Sequence, residues 1–477
     1  MSSLRMEVGD ALLSLGRYDE AVQILESAVD EAYVADDDAG VLRAANLLTF
    51  ATADPLGQPE RARRWVWLAR VSEQRLGLPQ DHPARAVSLN NLGVVYMAEG
   101  DLRAALGAYE QALAIREATL GPEHPEVATI LANIGSVHVD RGDYAQALEA
   151  QLRSLAIREA TLGPDHPDVA LSLNNLGIAY MAQARYDEAL AVLQRALAIR
   201  EAVLAPDHPD IATTLSNIGS THNALMAYEE ALAAHLRAVS ILETASPEHP
   251  DLVGALNNVG NTYQSLGEYD QARRAHERAR DVCGATLGPE HPNYAMSLNN
   301  LGTVHMDLGR LDEALAEHRQ AMEIWSAALG KEHPYVATAL LNLGAVLHER
   351  GEFQRALDAH ERALAMWETT LEPNHPYVGI ALYNMGRELL ALGRLEDAIA
   401  SLLRSLDVLA HVDAPPPELG EARFALAKAL WARGEQAQAV TQARAALDDL
   451  RRLAPRRVAL IAEVRSWVRA ATAPEVD

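Results

Sequence analysis

The residues whose chemistry stands out first are histidines. Eight of the seventeen sit directly before a proline, at His82, His124, His166, His208, His249, His291, His333 and His375, spaced by 42 residues except for one interval of 41. Imidazoles on a fixed period suggest metal ligands, but equivalent points of neighbouring helical repeats lie at least one helix spacing apart, roughly 8–10 Å. A metal ion holds its ligands at about 2 Å, so these histidines cannot share one. A residue before proline is pushed out of the helical region, and proline is favoured at the first position of a helix. The series is expected to mark where helices begin.

A second series is less routine. His235, His276, His318 and His360 hold, in four consecutive units, the position that Tyr109 holds in the first full unit. The facing site, Tyr96 in that unit, is also histidine in two of them, which makes His222 with His235 and His305 with His318 candidate close pairs. Paired buried imidazoles would bind a metal or loosen the fold near about pH 6, because charging both is costly. The plainer alternative is that they are polar core residues bonded to the backbone or to each other. Met97, Met181 and Met306 recur at one helical position and would serve either as adaptable ligand contacts or as packing between helices. A glycine-rich phosphate loop, a nucleophile elbow and a His-Glu-x-x-His zinc motif are all lacking. The lone Cys283 excludes an internal disulfide and any cysteine-based zinc cluster. No catalytic residue, metal site or cofactor is assigned, and the chain is read as not an enzyme.

The elements that position these residues follow from the same period. From Pro83 the segment PARAVSLNNLGVVYMAEG carries Val87, Leu89, Leu92, Val95 and Tyr96 at helical spacing, which predicts a helix A. Gly100 interrupts it. DLRAALGAYEQALAIREATLG then resumes the pattern through Leu102, Ala105, Leu106, Tyr109, Ala112, Leu113 and Ile115, a helix B closed by Gly121 and Pro122. Gly93 is expected to face Ala105 and Ala112, since small residues let helix backbones approach. Each unit is thus a helix hairpin.

Leu89, Leu92, Gly93, Tyr96, Ala105, Tyr109 and Ala112 reproduce the spacing of the tetratricopeptide signature, with Leu in place of its Trp. The period of 42 and the wording LGPEHPEVA…NNLG resemble the kinesin light chain branch of that family. The resemblance implies an all-α, right-handed superhelical solenoid of antiparallel helix pairs. About eleven pairs and a C-terminal capping helix are expected. Residues 1–81 are read as degenerate N-terminal repeats, 82–411 as eight regular repeats, and 412–477 as a degenerate repeat followed by the capping helix, whose charges include Arg457, Glu463, Arg465 and Arg469. Within 39–77, Phe50 falls where the signature glycine should be. Residues 209–249 lose one residue before SPEHP and carry Met226 in place of the turn glycine, which predicts a local irregularity in twist. The first repeat is expected to begin with an uncapped face, either because the chain was cut from a longer protein or because that face meets a partner, including by self-association.

A second marker keeps the same intervals: Asn91, Asn133, Asn175, Asn217, Asn258, Asn300, Asn342 and Asn384. In the resembling family, asparagines at this site line a concave groove and hydrogen-bond the main chain of an extended peptide. An amide suits this because it both donates and accepts. The competing reading is that each asparagine fastens its repeat to the next loop. Arg387 alone fits the basic pattern by which some family members hold a ligand's carboxylate.

Composition bounds the rest. With 66 acidic against 41 basic residues the net charge is −25, which repels phosphate backbones, and no nucleic-acid partner is expected. No apolar run reaches membrane-spanning length and the start lacks a signal-peptide core, so a cytoplasmic chain without a membrane partner is expected. Lys331 and Lys428 are the only lysines, a habit of GC-rich bacterial genomes. The leading expectation is a protein-interaction scaffold that binds a peptide or partner protein. The alternative is the sensor or regulatory region of a larger bacterial signalling enzyme, a serine/threonine kinase or nucleotide-switch ATPase.

Overall fold

Every regular repeat opens in the same way, and that opening sets the register of everything after it. In a computed structural model describing residues 2–14, 16–53, 56–246, 249–371, 373–411, 417–453 and 457–472, the chain forms helix after helix. In order these are α1 (Ser2–Ser14), α2 (Tyr18–Val34), α3 (Asp38–Ala53), α4 (Pro59–Arg75), α5 (Pro83–Ala98), α6 (Leu102–Leu120), α7 (Pro125–Arg141), α8 (Tyr144–Leu162), α9 (Pro167–Ala182), α10 (Tyr186–Val203), α11 (Pro209–Ala224) and α12 (Tyr228–Ala245). They continue as α13 (Pro250–Ser265), α14 (Tyr269–Thr286), α15 (Pro292–Asp307), α16 (Leu311–Ala328), α17 (Pro334–Glu349), α18 (Phe353–Thr370), α19 (Pro376–Ala391), α20 (Leu395–Ala410), α21 (Glu418–Arg433), α22 (Gln436–Leu453) and α23 (Val458–Ala471). The described residues thus make twenty-three helices in succession, the all-α repeat architecture expected. They fall into two compact units, Met1–Val304 with Glu323–Lys331, and His305–Met322 with Glu332–Asp477. No helix among the described residues is long and apolar enough to cross a membrane.

The two helices of a pair meet at the signature glycine, but the partner is a larger side chain than the expected alanines. A Cβ on Gly93 would lie 2.5 Å from the Tyr109 ring, one on Gly177 would lie 2.6 Å from Leu193, and one on Gly386 would lie 2.5 Å from Leu402. The residue sixteen positions on therefore lies flat on the glycine, while Ala105 and Ala112 are fully buried beside it. Phe50 does not occupy such a site, being 40% exposed. Five residues link α3 to α4 where three link α5 to α6, so the register of the regular repeats does not carry over to Phe50.

The A-to-B turn uses one residue in the left-handed region. Gly100 has φ 76° and Gly142 φ 83°. Met226 takes the same conformation at φ 60°, and the Ala227 N–H still donates to the His222 carbonyl at 2.9 Å, as Asp101 does to Tyr96. The turn expected to be irregular is therefore unaltered at its glycine-free position; residues 247–248 of the shortened loop lie outside the described residues. A glutamate also recurs near the end of successive B helices. Glu117, Glu159, Glu201 and Glu243 pair with Arg153, Arg195, Arg237 and Arg278 of the following B helix, the first three at 2.6 Å. Half-exposed pairs of this kind are worth about 0–1 kcal/mol each.

In the first unit one contact spans 235 residues: the His291 Nε2–H donates to the Leu56 carbonyl at 3.1 Å, beside Gly57 at φ 58°. In the second, α23 buries Ile461 and Val464 and sets Trp467 edge-on to Phe424 and Trp431. Glu463 pairs with Lys428 at 2.9 Å and Arg457 with Glu421, so two of the four expected capping charges tie α23 to α21.

Ala184 also takes the left-handed turn conformation, at φ 54°, which costs a residue with a Cβ about 1–2 kcal/mol. Ala184→Gly should raise stability by roughly 0.5–1 kcal/mol in urea unfolding. An unchanged or lower midpoint would show that the turn carries no strain.

Candidate functional site

The loop histidines are side-chain caps. The Nδ1 of His82, His124, His166, His208, His249, His291, His333 and His375 accepts from the backbone N–H two residues on, at 3.1–3.2 Å in every case. This satisfies one of the N–H groups that a helix start leaves open. Proline occupies the first helical position and fixes φ. Cap and proline together set the rotation of helix A, so its ninth residue, the asparagine, recurs on one face. Successive A helices pack more closely than successive B helices among the described residues, for example α7 on α9 and α11 on α13. The A side is therefore the inner side of each curved stack.

On this face the asparagines are not equivalent. The Asn91 Nδ2 donates to the Asn46 carbonyl on α3 at 2.8 Å, and Asn91 is only 8% exposed. The Asn133 and Asn217 Nδ2 groups donate to the Oδ1 atoms of Asn90 and Asn174, one repeat earlier, both at 2.9 Å. These three amides clasp neighbouring A helices. Asn175, Asn258 and Asn300 are half-buried, and their side-chain amides have no hydrogen-bond partner among the described residues. Asn342 is half-buried with an interaction of its own, and Asn384 is buried.

The residue preceding each asparagine explains the division. Asn133 and Asn217 find Asn90 and Asn174 in the previous repeat, but Asn175 and Asn258 find Ala132 and Ser216 there. Asn300 would find Asn257, whose Oδ1 already meets the His276 Nδ1 at 2.8 Å and whose Nδ2 donates to Ser297 at 3.1 Å. The free amides are left where the previous repeat offers no open asparagine side-chain carbonyl. Arg387 lies 3.9 Å from Glu349 and over the Tyr383 ring, so its charge is partly engaged.

The second histidine series is core. His235, His276, His318 and His360 are all fully buried, and a Cβ on Gly219, Gly260 or Gly344 would collide with the His235, His276 or His360 ring. The expected pairs do not form as drawn. Both nitrogens of His235 lack a partner, so it makes no bond to His222, and the His305 Nδ1 meets Glu317 Oε2 at 2.7 Å. No group of three or more His, Cys, Asp or Glu among the described residues is placed to hold a metal ion.

A cluster not anticipated from sequence lies in the second unit. Glu388, fully buried, receives the His348 Nδ1 at 2.9 Å and the His360 Nδ1 at 3.3 Å, and the His360 Nε2 reaches the Leu341 carbonyl at 3.1 Å. Burial alone would raise the Glu388 carboxyl, but the two imidazoles outweigh it and hold it below its ordinary value. The signal was present in the column four residues after the asparagine. It reads Val95, Val137, Ala179, Thr221, Thr262, Val304 and Val346 before Glu388 breaks it.

Burial pushes His235, His276, His318 and His375 down to about 4. The unfolded chain takes up protons from about pH 6.5 downward that the folded chain refuses. The stabilisation these rings carry as neutral groups is complete above about pH 6.5 and lost as pH falls toward 4. The melting temperature should therefore drop through that window. His235→Leu with His276→Leu, copying Leu193 on Gly177, should flatten the drop. A double variant with the wild-type pH profile would contradict the assignment.

The fold and its inner face define a helical-repeat scaffold. The tetratricopeptide repeat family model matches residues 84–160, 126–202, 168–244, 251–305, 295–369 and 335–411, and two further tetratricopeptide repeat models match 383–457 and 3–32. With more than half of its length matched, the chain belongs to the tetratricopeptide repeat family. Among solved structures it is similar to the nearly identical tetratricopeptide-like repeats of a candidate kinesin light chain from Podosopora anserina, at 24% identity over 43% of this chain and 97% of that one, TM-score 0.37. It is also similar to BtubC from P. vanneervenii, at 20% identity over 48% and 89%, TM-score 0.39. A third is a Rap protein complexed with competence and sporulation factor, at 15% identity over 83% and 99%, TM-score 0.49. A comparison with curated proteins finds no match.

Proposed function

We propose that this protein is a non-catalytic interaction scaffold that holds an extended peptide, or an extended segment of a partner protein, along the inner face of its first unit. The observation that carries the reading is the set of unpartnered amides at Asn175, Asn258 and Asn300, held on one face by identical helix starts. Each amide offers a donor and an acceptor to a peptide group. The side chains three residues on, Ile178, Asn261 and Thr303, are uncharged, so main-chain recognition would dominate. The asparagines of the original eight then divide in role: Asn91, Asn133 and Asn217 fasten repeats, while Asn175, Asn258 and Asn300 meet the ligand. Asn342 and Asn384 belong to the second unit's face and carry less weight. A cytoplasmic setting belongs to the same reading. Nothing in the fold or its relatives lends support to the signalling-enzyme alternative.

The test uses peptides selected from a random library on the wild-type protein. Replacing Asn175, Asn258 and Asn300 together with alanine should weaken their capture about tenfold to a hundredfold, at about 0.5–1 kcal/mol per lost hydrogen bond, with the melting temperature unchanged. Replacing Asn133 and Asn217 should instead lower the melting temperature. Undiminished capture by the triple variant would remove the groove assignment.

A further inference from the structure

The degenerate N-terminal repeats carry a cavity that the asparagine face does not use. It measures about 840 Å³ and lies between α1, the start of α2, α3, the loop after α4, and α5. Its walls are mainly apolar, with Leu13, Leu47, Phe50, Leu76, Leu78 and Val87 among them. Phe50, Leu76 and Val87 remain 40%, 39% and 38% exposed, so large apolar side chains face an open space that none of the described residues fills. The volume falls in the range of small-molecule sites, about 300–1,000 Å³, and exceeds what a single inserted side chain would occupy.

Two polar groups on one turn of α3 give the cavity an orientation. Asn46 is 8% exposed, its carbonyl is taken by Asn91, and its side-chain amide has no partner among the described residues. Arg43, three residues earlier and on the same helix face, is exposed and has no ion-pair or hydrogen-bond partner among the described residues. Asp10, the acidic residue of the lining, already has an interaction of its own. An apolar chamber with an unpaired guanidinium and a buried, unpartnered amide one helical turn apart matches a ligand with an apolar body and a single anionic end.

We propose that this cavity is a binding site for a small amphipathic carboxylate. Its hydrocarbon part would lie against Phe50, Leu47 and Val87, and its carboxylate would accept from Arg43 and Asn46. A guanidinium binds a carboxylate through two parallel N–H groups, and Asn46 adds a third donor. The site is separate from the peptide face: its lining includes Asn91, which fastens repeats, and none of Asn175, Asn258 and Asn300.

The probe is 11-(dansylamino)undecanoic acid, whose emission rises on entering an apolar site, titrated into the full chain and displaced by decanoate. Saturable one-to-one binding is expected, with displacement by decanoate at least tenfold tighter than by decan-1-ol. Arg43→Gln should weaken decanoate about tenfold and leave decan-1-ol unchanged. Phe50→Ala should weaken both while circular dichroism stays that of the wild type, since the ring is 40% exposed. The alanine variant of Asn175, Asn258 and Asn300 should bind the probe normally, which separates failure of this site from failure of the peptide face. Binding that neither Arg43→Gln nor Phe50→Ala alters, or no saturable binding, would overturn the proposal. So would loss of peptide capture in Arg43→Gln without any carboxylate binding, which would assign the cavity to the peptide.

Discussion

The structure depends on one close contact, a helix A backbone meeting a helix B side chain at a glycine. At Gly93, Gly135, Gly177, Gly219, Gly260, Gly344 and Gly386 a Cβ would fall 2.2–2.6 Å from the side chain sixteen residues on. That separation is far inside van der Waals contact, so the pair can close only without a Cβ. The contact accepts any flat or branched group that fills it. Tyr109, Gln151, Leu193, His235, His276, His360 and Leu402 all serve. This tolerance explains how imidazoles come to occupy the core of several repeats. It also explains a composition rich in Ala with few aromatic residues, because the neighbouring positions are crowded.

Once hairpins are fixed in this way, the histidine cap and the proline behind it set the rotation at which each hairpin presents its inner face. The same column then takes two forms. Where the previous repeat offers an asparagine carbonyl, as at Asn90 and Asn174, the ladder amide becomes part of the stack. Where it offers Ala132 or Ser216, the amide stays open. A repeat protein built from nearly identical units can thus separate stability from binding by changing a single neighbouring residue, with the helix geometry kept constant.

Much of this was legible in the sequence. The period, the hairpin, the turn glycines and the helix starts at His-Pro follow from spacing and from the backbone preferences of glycine and proline. What sequence missed was either a register or a contact in three dimensions. Phe50 was misplaced because the α3–α4 link is longer than the others, and a hydrophobic pattern does not reveal link length. The pairs His222–His235 and His305–His318 were drawn from facing columns, but side chains choose the nearest available partner, and for His305 that is Glu317. The bond between His291 and Leu56 joins residues 235 apart, which nearest-neighbour periodicity cannot express. Glu388 was visible as a break in an uncharged column, though its two histidines come from other helices. The split of the asparagine ladder was encoded in the residues beside it and needed only the knowledge that successive A helices pack side by side.

The central claim is that the open amides, and not the clasping ones, meet the ligand. Side-chain amide resonances of the asparagines, recorded by nitrogen-15 NMR with and without a bound peptide, test it most directly. The account predicts that Asn175, Asn258 and Asn300 shift on binding while Asn133 and Asn217 stay in place. Shifts confined to Asn133 and Asn217, or absent from the whole ladder, would contradict it.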